Sequence, residues 1–223
     1  MLQRLPQKQK FDETERIFSG LYRSYYGELS QYSEHLRNDP ITRKDLFEIR
    51  TQDDTNRYLI RDGKCQVIGF AIIGRKGNTA PDTDTFIQEF YIRPDFRKLG
   101  YGKKAALELL EEYPGTCCYL TLKGNKVAEI FWEKVMSEAG MADVSDQFNI
   151  PNLRDDMVFH AYDKMPNWFG LIQGYMTTVH WSNEAKLFQA TVAGKKELDI
   201  SGPTIYECVQ RVEQALKELE EDK

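Results

Sequence analysis

An α/β (α+β) fold, with a mixed central sheet flanked by helices and a small C-terminal β-β-β-α domain, is what the residue pattern of this 223-residue chain predicts. Three observations carry the expectation. Val67–Ile73 (VIGFAII) is apolar on both faces, as a central strand requires. The β-prone run Phe86–Ile92 leads through Pro94 and Asp95 into Gly100-Tyr101-Gly102 and then a helix, whose Ala106, Leu109, Leu110 and Tyr113 share one face. Before that turn the apolar runs read as hairpin-joined strands, and after it the pattern alternates helix, strand, helix. The division expected is residues 1–165 as the main domain and 166–223 as the small one.

Phe11 to about Leu36 reads as one or two helices rich in aromatics (Phe11, Phe18, Tyr22, Tyr25, Tyr26, Tyr32). After Pro40 a polar linker leads to a strand at Arg57–Arg61, and Asp62-Gly63 signals a two-residue hairpin before Cys65–Ile73. The loop Gly74–Thr83 returns the chain into the Phe86 strand. Cys117–Leu122 is the next strand and Asn125–Lys134 the next helix, while Asp143–Phe148 and Met157–Tyr162 would close the sheet as a hairpin. Beyond Pro166, Tyr175–Trp181 and Leu187–Val192 read as a hairpin around Ser182-Asn183-Glu184, with a short third strand at Lys196–Ile200. Gly202 and Pro203 announce a final helix with Ile205, Cys208, Val209, Val212, Leu216 and Leu219 on one stripe. A unit this small needs apolar cover, from its own chain or as a dimer contact.

Composition excludes several classes. No apolar run approaches the ~18 residues of a membrane span, and Met1–Lys10 lacks the apolar centre of a signal peptide, so a soluble cytoplasmic protein with no membrane partner is expected. Four scattered cysteines do not make a disulfide framework. A net charge of -5 argues against non-specific nucleic-acid binding and leaves a cationic substrate open. His35, His160 and His180 lie apart with no ligand spacing, so no metal is expected.

The turn itself is an anion site by construction. A strand ends in a glycine-rich turn at a helix N-terminus, where backbone N–H groups are unpaired and the helix dipole is positive. Arg97, Lys98, Lys103 and Lys104 add charge. Read as Gly100-x-Gly102-x-x-Ala105, the segment satisfies a relaxed dinucleotide fingerprint. The context fails, because the following strand ends in Lys123 rather than the required acid. Read as Arg97-x-x-Gly100-x-Gly102, it resembles the coenzyme A pyrophosphate loop of the GNAT superfamily of N-acetyltransferases. The resemblance extends over about residues 11–165: the element order matches, and Asn125, Ala128 and Phe131 fit the pattern of the second GNAT helix, with Trp132 where many members carry tyrosine.

The resemblance implies roles. Backbone N–H groups of Arg97, Lys98, Leu99, Gly100, Tyr101 and Gly102, with Lys103, would hold the pyrophosphate of acetyl-CoA, and Phe90, Tyr91 and Ile92 would line the pantetheine arm and polarise the thioester. Asn125 and Phe131 would touch coenzyme A, although Asn125 reads equally as a helix cap. Tyr25, Tyr26, Glu28 and Tyr32 would meet the acceptor. Trp132 would hydrogen-bond the departing thiolate, since an indole N–H cannot titrate. Glu89, the acid inside an apolar strand, is placed by alternation on one face with Ile87 and Tyr91. It reads either as a general base or as a structural acid paired with Arg57 or Arg61. The activity implied is an N-acetyltransferase moving an acetyl group to a primary amine of a small molecule or peptide, by direct transfer in a ternary complex. The alternative is a non-catalytic coenzyme A-binding module.

Overall fold

The computed structural model describes residues 1–6, 12–75, 83–164, 168–182, 185, 187–196 and 198–221. The chain divides into two compact units, Met1–Val135 with Val144–Tyr162, and Met136–Asp143 with Asp163–Lys223.

The first unit is built on a sheet whose strands run β1 (Leu2–Arg4), β2 (Thr55–Arg61), β3 (Val67–Arg75), β4 (Thr85–Ile92), β5 (Cys117–Leu122) and β7 (Met157–Lys164), in the order β1-β2-β3-β4-β5-β7. All neighbours are antiparallel except β4 and β5. β6 is Met141–Asp143. The central strands bury both faces, with Leu59, Ile60, Phe70 and Ile73 all fully buried. Helix α1 (Glu13–Leu29) covers one face. Asp12 caps it by accepting the Glu15 N–H at 2.9 Å, and Phe18, Tyr22 and Tyr25, at helical spacing, pack on Phe70 with ring centroids 5.1, 5.5 and 5.6 Å away. On the other face Ala105 of α4 (Tyr101–Glu112) packs with Ile60, Ile68 and Ile92. Helix α5 (Lys126–Glu138) follows β5.

Several expectations shift locally. The helical N-terminal region is α1 and α2 (Glu34–Asn38), and the polar linker after Pro40 contains a further helix, α3 (Arg43–Thr51). Its apolar content is low, but a capping box between Thr42 and Asp45 starts it. The Asp62-Gly63 hairpin is a longer loop. The Asp62 carboxylate accepts the N–H groups of Lys64 and Gln66, and Cys65 rather than Gly63 takes the left-handed conformation, φ 64°. The strand expected at Asp143–Phe148 lies earlier, as β6 (Met141–Asp143), beside β7, and Ser145–Gln147 forms a 3-10 turn instead. Residues 76–82, most of the loop Gly74–Thr83, and Phe11 lie outside the described residues.

The second unit carries a four-stranded antiparallel sheet in the order β11-β10-β9-β8, from β8 (Trp168–Ile172), β9 (Tyr175–Ser182), β10 (Leu187–Val192) and β11 (Ile200–Gly202). The unit is therefore β-β-β-β-α. The strand beyond the expected three is made by Gln173-Gly174, whose φ of 49° and 83° fit a two-residue hairpin. β11 lies later than Lys196–Ile200, with Glu197 outside the described residues, as are Asn183 and Glu184 of the expected turn. Helix α6 (Ile205–Glu221) starts where Thr204 accepts the Glu207 N–H at 3.1 Å. Its Cys208, Val212 and Leu216 are buried against Ile172, Val179, Phe188 and Val192, so the stripe finds its cover within its own unit. All four cysteines are free thiols. Among the described residues no helix is long and apolar enough to cross a membrane.

Candidate active site

Two glycines shape the turn before α4 for different reasons. After a 3-10 turn at Pro94–Phe96, Lys98 (φ 61°) and Gly100 (φ 84°) are left-handed. Gly100 is the N-cap of α4 and no side chain caps the helix. Among the described residues, the N–H groups of Leu99, Gly100, Tyr101 and Gly102 meet no protein acceptor, which leaves a fan of donors at the positive end of the dipole. At Gly102 the limit is space: a Cβ would lie 3.4 Å from both Ile92 Cγ1 and Phe131 Cε2.

Arg97, expected at the phosphate, turns back. Its Nε donates to the Ile92 carbonyl at 2.7 Å and its Nη2 to Glu28 at 2.7 Å, while Tyr91 donates its hydroxyl to Glu28 at 2.8 Å. An expected cofactor residue and an expected acceptor residue thus form one ion pair, and what the turn offers an anion is its bare amides and the helix dipole.

β4 and β5 part beside this turn. Their parallel pairing covers Thr85–Ile87 against Cys117–Tyr119 and stops there; β5 continues to Leu122 paired with β7, and β4 to Ile92 paired with β3. The β5-side edge of Gln88–Ile92, which includes Phe90, Tyr91 and Ile92, therefore opens onto a wedge between the strands. Trp132 sits at its apex. The indole stacks on Tyr119 of β5 (5.1 Å, 29°) and meets Phe90 of β4 (5.3 Å) and Phe131 (5.0 Å) edge-on, so one ring touches both strands where they diverge.

A bulge in β4 decides where Glu89 points. Ile73 pairs with Ile87, but Ile72 pairs with Glu89, leaving Gln88 as the extra residue. Ile72 and Ile73 face opposite sides, so Glu89 shares the α1 face with Tyr91, and Ile87 does not. There the half-buried carboxylate accepts the Tyr22 hydroxyl at 3.1 Å and the Tyr25 hydroxyl as well. Burial raises its pKa to about 7, against the opposing effect of the two tyrosine hydrogen bonds. Burial, and then the facing Glu89 charge, also raise the Tyr22 and Tyr25 hydroxyls above their ordinary range, so both stay protonated donors. The structural alternative of an arginine partner does not hold. Arg57 is held bidentately by Glu15, at 2.8 and 2.9 Å, and Arg61 donates to Gln3 and to the Cys65 carbonyl.

The remaining expected residues spread around this centre. Tyr26 donates to the Asp39 carbonyl at 2.9 Å, and Tyr32 is 38% exposed with no contact to Glu89. Asn125 caps α5: its Oδ1 accepts the Ala128 N–H at 3.2 Å. Lys98 and Lys103 flank the turn, and Leu99 is 64% exposed. Sequence reading missed Tyr22, which it took as core. The signal was present, since Tyr22 and Tyr25 at i, i+3 share one helix face. Among the described residues no group of His, Cys, Asp or Glu could hold a metal ion.

Comparison with known proteins gives a family match. The profile described as "Acetyltransferase (GNAT) family" matches residues 15–137, more than half of the chain. No curated protein matches. Similar solved structures include spermidine N-acetyltransferase from Vibrio cholerae in complex with CoA and spermine (13% identity, 74% of this chain and 95% of that one, TM-score 0.49). An acetyltransferase from Bacillus subtilis in complex with CoA is also similar (12%, 74% and 98%, 0.44), as is one from Thermus thermophilus (13%, 72% and 95%, 0.49).

Proposed function

Because the chain belongs to the GNAT family of acetyltransferases, we propose that it transfers the acetyl group of acetyl-CoA to a primary amine, directly, in a ternary complex. The observation that carries the reading is the wedge between β4 and β5, which opens beside the unpaired amides of the α4 N-terminus and next to a proton acceptor.

The residues fit an acyl-CoA. The N–H groups of Leu99–Gly102 suit the pyrophosphate. The free edge of Phe90–Ile92 suits an extended pantetheine amide chain, which would add to β4 as a strand does, and places donors near the thioester oxygen. Phe131 and Asn125 would border the same arm. On the α1 face, Glu89 takes a proton from the acceptor ammonium, directly or through water. A pKa near 7 is where a base is both ionised and strong enough to act. Tyr22 and Tyr25 fix its orientation, and Tyr26, Glu28 and Tyr32 border the approach. The neutral amine then attacks the thioester carbon, the C–N bond forms, the C–S bond breaks, and the second proton lost from the amine nitrogen passes to water. Trp132 supplies an N–H donor and an aromatic wall, and a thiol near pKa 8.5 leaves as a thiolate without full proton transfer.

The test is a thermal shift with acetyl-CoA followed by thiol release against a panel of amines. Ligand at 100 times its Kd adds about 2.7 kcal/mol of stability. Amine-dependent thiol release supports the reading. An unmoved melting temperature at millimolar acetyl-CoA refutes it, and binding without amine-dependent turnover moves the protein to the non-catalytic alternative.

A further inference from the structure

Away from the wedge, α1 and α3 enclose a groove of 460 Å³ lined by Ser19, Arg23, Arg43, Leu46, Phe47 and Arg50. Its arginines stand outside every ion pair found among the described residues. Among the described residues four of the five acids on the two helices are ion-paired with other cations, Glu13 with Arg16, Glu15 with Arg57, Glu28 with Arg97 and Glu48 with Lys44, and Asp45 is turned to Thr42 in the capping box. Arg23 and Arg43 are exposed without an ion pair among the described residues, and the half-buried Arg50 lies over the Phe47 ring, 5.1 Å from its centroid. Three guanidinium groups on one groove of a chain with net charge -5 repel one another, a cost that an anionic ligand removes. The floor between them is apolar: Phe47 is 55% exposed, and Leu46 packs into the cluster that holds Tyr22 and Tyr25. An exposed Phe beside arginines suits a flat apolar ligand body, since guanidinium and ring can both stack on it.

We propose that this groove binds a small organic polyanion, a ligand carrying two or more carboxylate charges or a phosphate on a flat apolar body. Its volume lies in the usual range of small-molecule sites. Arginine forks pair bidentately with carboxylate or phosphate, and the Ser19 hydroxyl adds a donor.

Isothermal titration calorimetry of the intact protein at physiological salt tests it, with trimesate, 1-naphthyl phosphate and citrate as probes. Trimesate or naphthyl phosphate is expected to bind, and whichever binds more tightly tells carboxylate from phosphate recognition. Each of Arg23→Gln, Arg43→Gln and Arg50→Gln should weaken it on the order of 10-fold or more, while Phe47→Ala should weaken the aromatic probes and leave citrate unchanged. Circular dichroism verifies that each variant is folded. Equal affinity in the wild type and the triple arginine variant overturns the proposal, because that anion would sit at the α4 turn instead. So does absence of heat from both aromatic probes at millimolar concentration. An unchanged aromatic affinity in Phe47→Ala overturns the apolar part.

Discussion

Glu89→Gln separates proton transfer from binding. Glutamine keeps the size of the side chain and an oxygen for the Tyr22 and Tyr25 hydroxyls, and removes only the proton acceptor. Turnover should fall on the order of 10²- to 10⁴-fold while acetyl-CoA affinity is unchanged. In the wild type, kcat/KM should rise tenfold per pH unit on the acidic side and level off near pH 7, where Glu89 ionises, and that limb should vanish in the variant. Stability supplies an independent reading. The folded carboxyl titrates at about 7 against 4.5 ordinarily, so between those values the folded state holds more protons than the unfolded one. Wild-type stability therefore falls as pH rises through that window and is unaffected below it. At 1.36 kcal/mol per unit this is at most about 3 kcal/mol, less for a half-buried group. Glu89→Gln should thus gain stability relative to wild type from pH 4.5 to 7, read as diverging melting temperatures. A variant that retains normal turnover and the acidic limb would refute the catalytic reasoning, and a melting difference independent of pH would refute the burial argument.

Three further substitutions probe the scaffold of the site. Gly102→Ala puts a methyl 3.4 Å from Ile92 and Phe131 and into the path of the phosphate, so Kd for acetyl-CoA should rise on the order of 10-fold or more with a small change in melting temperature, by calorimetry and thermal scan. Trp132→Phe keeps a ring against Tyr119 and Phe90 but removes the N–H; kcat should fall while KM for acetyl-CoA holds, and an unchanged kcat would assign Trp132 to packing alone. Glu15→Gln breaks a buried bidentate pair and strands the Arg57 charge, costing about 3 to 5 kcal/mol in denaturant unfolding without moving the pH profile.

The strand-turn-helix of residues 86–112 is legible in the sequence because its signals are local. The apolar run, the paired glycines and the helical stripe each act within a few residues, and Gly100 takes the left-handed conformation such a turn requires. The apolar stripe of α6 is legible for the same reason, and so is the double-faced burial of β3. What tertiary structure alone decides is partnership and phase. A strand's own residues do not reveal the bulge at Gln88, because a bulge exists only relative to the register of β3, and one slipped residue moves Glu89 off the face of Ile87. Nor does sequence say where β4 leaves β5, which depends on pairing that closes across a whole helix. Arg97 and Glu28 lie 69 residues apart and find each other in the fold. Arg57 is taken by Glu15 for the same reason, which leaves Glu89 to two tyrosines and a pKa near 7. Periodicity tells which side chains turn inward; which of them meet is set by long-range packing, and the chemistry of the acid follows from that meeting.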